Sequence, residues 1–427
     1  MRKFVVLAAT AAVALGAGLA GSPAAFSAPA PDVSPSNLPP SVSGRDNPGP
    51  AFWDKQAKVV EVADAITAAY KRISGDSGYA GLVVDAASNS ITLNWRGQVP
   101  ASVTKATTNA SGVTVNAVPT AKYSYQELAK ATGKVIAERT SINGTEVVAA
   151  GPLADGSGLQ VTAKGGATKA AVRNAISAVA GGVAVSVVNG SPEFAVAPPS
   201  VFGPTSRWNQ QAFGGARWRL DNGGGCSQGF ALGWAGDSAM ATAAHCGALG
   251  SGARNPENNA RYGTVTNRYE NRDIEAIRAD NQGDKGFFQA SMWWGDVNGQ
   301  QLWPVRGLTG NYPGMVTCSS GSYSGSLCDI VITANGVTVC LSGLYCVYGA
   351  VDVYNRTGGP VWGQGDSGGP VSIPIGSDVR AGGIISAIDT ARGTGCAGEQ
   401  NRQCANRGWY SPLDQWTGET GFTLRTQ

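Results

Sequence analysis

The sequence predicts a small α+β domain followed by an all-β half, and three observations predict it. Apolar residues recur at helical spacing only ahead of a proline-rich stretch at 192–206. Beyond it, short β-rich runs alternate with Gly, Ser and Asn turns, the pattern of a barrel or sandwich. All eight cysteines lie after residue 225. Glycine, at 60 of 427 residues, fits many turns between short strands. Charged residues are only 14% of the chain, the net charge is +3 and no Lys/Arg run occurs, which excludes a nucleic-acid partner.

The elements follow in order. Arg2 and Lys3 precede an apolar run over 4–19, and small residues follow around 25–30, so 1–30 reads as a signal peptide. The run is shorter than the roughly 20 residues of a membrane span, and an exported protein without a membrane anchor is expected. Residues 31–50 are a Pro/Ser-rich flexible lead-in. The α+β domain spans 51–191. Val59, Val62, Ala63, Ile66, Ala69 and Tyr70 predict a helix over 54–70. Strands are expected at 81–85 and 90–95, joined by a turn at 87–89. Ser124 with Glu127 three residues on is a capping-box spacing. Strands at 146–150 and 159–163, a helix at 168–179 and a strand at 183–188 complete the domain. The prolines at 192, 198, 199 and 204 mark a linker, set at 192–216 with a processing region. In the all-β half, 217–427, strands are expected at 230–234, 240–243, 263–269, 273–279, 315–317, 329–333, 347–354, 370–375 and 381–388.

An even set of cysteines in an exported chain reads as four disulfides among Cys226, Cys246, Cys318, Cys328, Cys340, Cys346, Cys396 and Cys404. Zinc is the competing use. No Cys-x-x-Cys pair exists and the chain has one histidine, so no metal and no other cofactor is expected.

Two motifs carry chemistry: Thr242-Ala243-Ala244-His245-Cys246 closing a small apolar strand, and Gly365-Asp366-Ser367-Gly368-Gly369-Pro370 entering another. A serine hydroxyl needs a base within hydrogen-bond reach, and imidazole suits that task near neutral pH. His245 is the one imidazole available. The base needs a carboxylate to fix its tautomer. Asp273, 28 residues on, begins an alternating apolar strand, whereas Asp280, Asp284 and Asp296 do not. Gly365 and Gly368 permit the tight turn that would aim two backbone N–H groups at an oxyanion. The order His, Asp, Ser differs from the Ser, Asp, His of α/β-hydrolases.

At these motifs the chain resembles the chymotrypsin-like serine peptidases, most closely the secreted bacterial branch of streptogrisin and α-lytic type. The likeness includes Cys226-Ser227-Gln228-Gly229-Phe230, Ser320-Gly321-Ser322-Tyr323-Ser324-Gly325 and Gly383-Ile384-Ile385-Ser386, and covers roughly 217–427. It implies two six-stranded β-barrels and a His245, Asp273, Ser367 triad, with Gly365 and Ser367 donating to the oxyanion. It also implies an α+β pro-domain that assists folding and covers the site. A monomer acting on polypeptides, with its own pro-domain as intramolecular partner, is expected. By resemblance Cys226 pairs with Cys246 and Cys318 with Cys328; Cys340–Cys346 and Cys396–Cys404 are paired by proximity alone.

The chain departs from the pattern at three places. Gly363 stands where the family often has a cysteine. Ser319 replaces the arginine that balances the acid before the nucleophile, which leaves Asp366 without an assigned partner. Val361 stands at the pocket floor, and Ala387 and Ile388 follow Ser386 where the family has glycine-rich walls, so the substrate-binding set Val361, Ser386, Ala387 and Ile388 predicts cleavage after small or medium apolar residues. Two alternatives stay open: a catalytically inactive binding protein on the same scaffold, and an N-terminal domain that is retained rather than removed.

Overall fold

The computed structural model describes residues 48–427 except 109–111, 139–140, 142–143, 202–206, 208–210, 222, 235–236, 281–286, 299–300 and 342–344. The expected signal peptide and nearly all of the lead-in lie outside the described residues, as does Asp284.

The N-terminal unit begins with α1 (Pro50–Lys71), whose first residue is a proline with no N–H to leave unpaired. Its apolar face buries Phe52, Trp53, Val59, Val60, Ala63 and Ile66. Next come β1 (Tyr79–Asp85) and β2 (Ser90–Trp95), an antiparallel pair joined by a turn that Asp85 closes by accepting from Ala87 N–H. α2 (Ala101–Thr108) and β3 (Thr114–Val118) were not foreseen; β3 pairs parallel with β2, although its side chains are mostly exposed. α3 (Tyr125–Glu138) starts at a reciprocal cap: Ser124 Oγ accepts from Glu127 N–H and Glu127 Oε2 from Ser124 N–H. β4 (Glu146–Pro152), β5 (Leu159–Lys164), α4 (Lys169–Val179, capped by Thr168) and β6 (Val185–Asn189) follow near their expected places. The stretch read as a linker opens with a strand, β7 (Pro192–Phe194).

The C-terminal half has two strand systems. The first comprises β8 (Arg217–Arg219), β9 (Gly225–Ser227), β10 (Ala231–Trp234), β11 (Asp237–Thr242), β12 (Gly252–Arg254), β13 (Arg261–Tyr269) and β14 (Ile274–Ala279). The second comprises β15 (Ser291–Trp294), β16 (Gln301–Leu308), β17 (Val316–Gly321), β18 (Gly325–Cys340), β19 (Cys346–Asn355), β20 (Trp362–Gly363), β21 (Pro370–Ile375), β22 (Asp378–Asp389), β23 (Gly393–Thr394), β24 (Cys404–Ala405) and β25 (Arg407–Pro412). Helix α5 (Leu413–Thr420) buries Leu413 and Trp416, and β26 (Thr423–Leu424) then returns to pair with β10. Among the described residues, the absence of α-helix expected after the linker therefore holds only up to residue 412.

β26, β10, β11, β14, β13, β12, β8 and β9 form one eight-stranded sheet in that order. Strands β22, β21, β17, β18, β19 and β25 pair successively, and β25 pairs back on β22, which closes a ring of six. Closure leaves no edge within the ring. The two units share a sheet, because β18 runs past the ring and pairs with β4 at Thr338↔Ala150 and Val339↔Ala149. A cluster spanning both strand systems holds Phe230, Met240, Ile277, Met292, Val316 and Ile384, and α1 inserts Phe52 and Trp53 into it.

Candidate active site

Three turns bring the site together. β11 ends at Thr242, and His245 follows in the turn before the Cys226–Cys246 disulfide, which ties that turn to β9. Asp273 sits between a single 3-10 turn at 270–272 and β14, with φ +49. Aspartate tolerates this left-handed conformation better than most side chains. The Gly365–Pro370 turn holds Ser367 between β20 and β21. Gly365 and Gly368 have φ +96 and +84, and a Cβ on either would lie 2.4 Å from the Tyr323 ring or 2.1 Å from Thr242 Oγ1. Ser227 ties this turn down, its N–H donating to Ser367 O at 2.7 Å and its hydroxyl to Gly365 O at 2.9 Å.

The side chains form one line. His245 Nε2 lies 2.8 Å from Ser367 Oγ, and Nδ1 lies 2.9 Å from both carboxylate oxygens of Asp273. Asp273 also accepts from His245 N–H at 3.1 Å, from the Ser386 hydroxyl and from the Tyr345 hydroxyl at 2.9 Å. It is fully buried, so these donors replace water around a charge that would otherwise be costly to bury. Tyr345 pays for its place with a phenol pushed far up, by burial first and by the Asp273 charge second, so it stays a donor. The neighbouring Glu275 is buried elsewhere, near Gly247 and Arg268; burial holds its carboxyl well above the usual range. Asp280 pairs with Arg261, and Asp296 closes a surface turn through Asn298 N–H. Asp273 is thus the carboxylate that reaches the imidazole.

A peptide carbonyl already faces this line. The oxygen of Ala195, just past β7, accepts from Gly365 N–H at 2.5 Å and from Ser367 N–H at 3.4 Å. Two convergent backbone donors of this kind stabilise an oxyanion formed by attack on the carbonyl. β7 lies antiparallel on β22, with Phe194 opposite Ala387 and Glu193 opposite Ile388. Ala195 N–H donates to Ser386 O at 3.2 Å. Ser386 therefore holds both the peptide and Asp273, while Ala387 and Ile388 set the peptide's backbone register and Ile388 also buries its side chain in the cluster that holds Ala195.

Val361 is buried in the same cluster as Ala195, Trp362, Ile385, Ile388 and Tyr410. Trp362, which the sequence reading passed over, narrows this region: its indole N–H donates to Ala387 O at 2.9 Å and its ring fills the space beside Gly408, where a Cβ would lie 2.5 Å from the indole. Ser319, standing at the expected arginine position, donates to Val361 O at 2.9 Å. The partner of Asp366 comes from farther along the chain. Arg402 Nη1 lies 3.1 Å from Asp366 Oδ2, with both side chains fully buried. Tyr323, Ser324 and Gly363 N–H groups donate to the same carboxylate at 2.8–3.0 Å. Arg402 is carried by the loop that Cys396–Cys404 closes. Cys404 Sγ would be 2.3 Å from a Cβ on Gly363, so this position has no room for a side chain. All four disulfides pair as expected, Cys318–Cys328 and Cys340–Cys346 included. Tyr345 precedes Cys346 in its short loop; adjacency to a cysteine was the one signal for it in the sequence, and Arg402 had no better.

No family model and no curated protein matches the chain. Among solved structures, Thermobifida fusca protease A is 24% identical, with 51% of this chain and 99% of that chain covered and a TM-score of 0.39. The Nocardiopsis protease is 24% identical over 50% of this chain and 99% of its own, with a TM-score of 0.39. Cellulomonas bogoriensis chymotrypsin is 23% identical over 51% and 99%, with a TM-score of 0.38. Over about half its length, then, this chain is similar to bacterial chymotrypsin-like serine proteases.

Proposed function

We propose that this chain is the precursor of a secreted serine endopeptidase. Residues 217–427 are its two-barrel peptidase domain, 51–191 its pro-domain and 192–216 the linker that is processed. The observation that carries this reading is the line Asp273–His245–Ser367 ending at a carbonyl that rests on two N–H groups. In the reaction Ser367 Oγ attacks the substrate carbonyl carbon while His245 Nε2 takes its proton. Asp273 stabilises the imidazolium, and Gly365 and Ser367 N–H groups take the oxyanion charge. His245 then protonates the leaving amine, and water hydrolyses the acyl-enzyme by the same steps in reverse. Trp362 beside Gly408 and the branched Ile388 favour small apolar residues before the cut. The apolar N-terminal run and the four disulfides support export.

The test is labelling with a fluorophosphonate. Wild-type protein, freed of its N-terminal unit, is expected to label at Ser367, and Ser367→Ala to lose the label together with roughly a million-fold of peptidase activity. One observation favours a rival reading: the cleft holds the protein's own chain, as in a binding protein with a plugged cleft. Under that reading wild type and Ser367→Ala stay equally unlabelled and uncut.

A further inference from the structure

Residues 193–197 cross the site as an extended peptide, pinned on both sides of one bond. Before that bond, β7 pairs with β22 and Ala195 N–H donates to Ser386 O. Beyond it, Ala197 and Gly225 exchange backbone bonds, Ala197 N–H to Gly225 O at 3.2 Å and Gly225 N–H to Ala197 O at 3.4 Å. The carbonyl between these clamps, that of Ala195, lies on the Gly365 and Ser367 N–H groups. Side chains follow the same register. Ala195 is fully buried, Phe194 stacks on the His245 ring at 3.9 Å with 15° between planes, and Tyr345 lies 5.3 Å from Phe194. Glu193 Oε1 accepts from the Thr390 hydroxyl at 3.3 Å.

From this geometry we infer that the Ala195–Val196 bond is the first bond the protein cuts, within its own chain. We further infer that its preferred substrates carry a small residue before the cut and an aromatic residue before that, seated between His245 and Tyr345. The inference rests on the peptidase reading above. Ser367 Oγ bonds to the Ala195 carbonyl carbon, the C–N bond to Val196 breaks, and the Val196 nitrogen leaves with the proton carried by His245. Water then cleaves the ester, leaving a carboxylate at Ala195, a free amine at Val196 and the Ser367 hydroxyl restored. No earlier cut is needed to shape the two donors, because Asp366 is already neutralised by Arg402 and held by three N–H groups in the uncut chain. A new amine at residue 196 therefore has no acid waiting for it there.

The full chain, refolded and followed by intact mass and N-terminal sequencing, is expected to yield a new N-terminus at Val196. Its rate should not change over a hundred-fold dilution, since attacker and target share one chain, and Ser367→Ala should stay intact. Ala195→Trp is expected to slow cutting at least a hundred-fold. On the processed enzyme, replacing Phe by Ala in a Glu-Phe-Ala-Val-Ala peptide is expected to lower kcat/KM about ten-fold, and Tyr345→Ala to erase most of that difference. A wild type that labels with fluorophosphonate yet starts elsewhere than Val196 overturns the bond assignment and leaves the peptidase reading standing. A rate proportional to concentration overturns cutting within the chain, and indifference to Phe overturns the aromatic seat. A wild type that neither labels nor cuts removes the peptidase reading itself.

Discussion

Two side chains at the centre of the site invite single substitutions. The Tyr345 hydroxyl is one of several donors that fix the Asp273 carboxylate, while its ring is what faces Phe194. Tyr345→Phe separates these contributions. It should lower kcat by about ten-fold or more, as expected for one lost hydrogen bond to a charged group, while KM and the preference for an aromatic residue before Ala stay as in wild type. Equal losses in that preference would mean that the ring, too, had moved. Arg402 is the other case. Removing its cation with Arg402→Met leaves Asp366 charged and buried, which costs about 3–5 kcal/mol. The expected result is a large drop in the denaturant midpoint, together with loss of fluorophosphonate labelling because the Gly365–Ser367 turn no longer holds its two donors in line. Unchanged stability would show that the three N–H groups suffice alone. Neither residue was legible beforehand, because the motif that names Asp366 lies 36 residues from Arg402 and nothing local links them.

Among the elements, α1 joins the N-terminal unit to the C-terminal half most plainly. Gln56 exchanges two hydrogen bonds with Val316, at 2.7 and 2.8 Å, and Tyr312 donates to Asp64 at 2.6 Å. Burial raises the Asp64 carboxyl, against the lowering effects of Tyr312, Arg380, the Gly310 N–H and Lys71. Asp414 on α5 is raised by burial as well, with Asp64 adding to the shift and Lys71 opposing it. A carboxyl raised in the docked state holds its proton there more tightly than in water. Docking of α1 is therefore strongest below the ordinary carboxylate range and weakens as pH climbs through that range to the raised value. For the two cut fragments, affinity is expected to fall as pH rises above the ordinary carboxylate range, and Asp64→Asn to flatten the fall. An affinity that rises with pH would contradict this sign. The apolar period of α1, the capping box of α3 and the helical stretch of α4 were visible in the sequence because a helix satisfies its own hydrogen bonds locally. α2 and β3 were missed, since α2 buries only Val103 and β3 is largely exposed, so neither carries an apolar period.

For the molecule as a whole, the two units are tied by more than the chain that links them. β4 extends the sheet of β18, β7 extends that of β22, and α1 enters the core beside Val316. A buried polar group adds to this: Arg407, between Asp352 and Asp389, also donates to Thr162 of β5 at 3.0 Å, and Asp389 accepts from Ser191 N–H at 2.7 Å. Cutting at Ala195–Val196 breaks none of these contacts. The two fragments should therefore co-elute in gel filtration after cleavage, with the new C-terminus at Ala195 still inhibiting the enzyme until the N-terminal unit is destroyed or displaced. Separate elution immediately after cutting would contradict this.

Short-range patterns were enough to mark candidate residues for a nucleophilic site and the class of most elements. A single imidazole, a Gly-Asp-Ser-Gly-Gly-Pro turn and an aspartate opening an apolar strand leave few partners for a nucleophile, and period-two runs between glycine turns leave few architectures. These are properties of short segments. Long-range packing alone shows which charge answers Asp366, what narrows the cleft at Trp362, why Gly363 has no side chain, and that 192–194 is a strand whose continuation to 197 lies in the cleft. Each depends on residues tens to hundreds of positions apart meeting through sheet register and buried contacts, and no local pattern of proline or periodicity encodes that register.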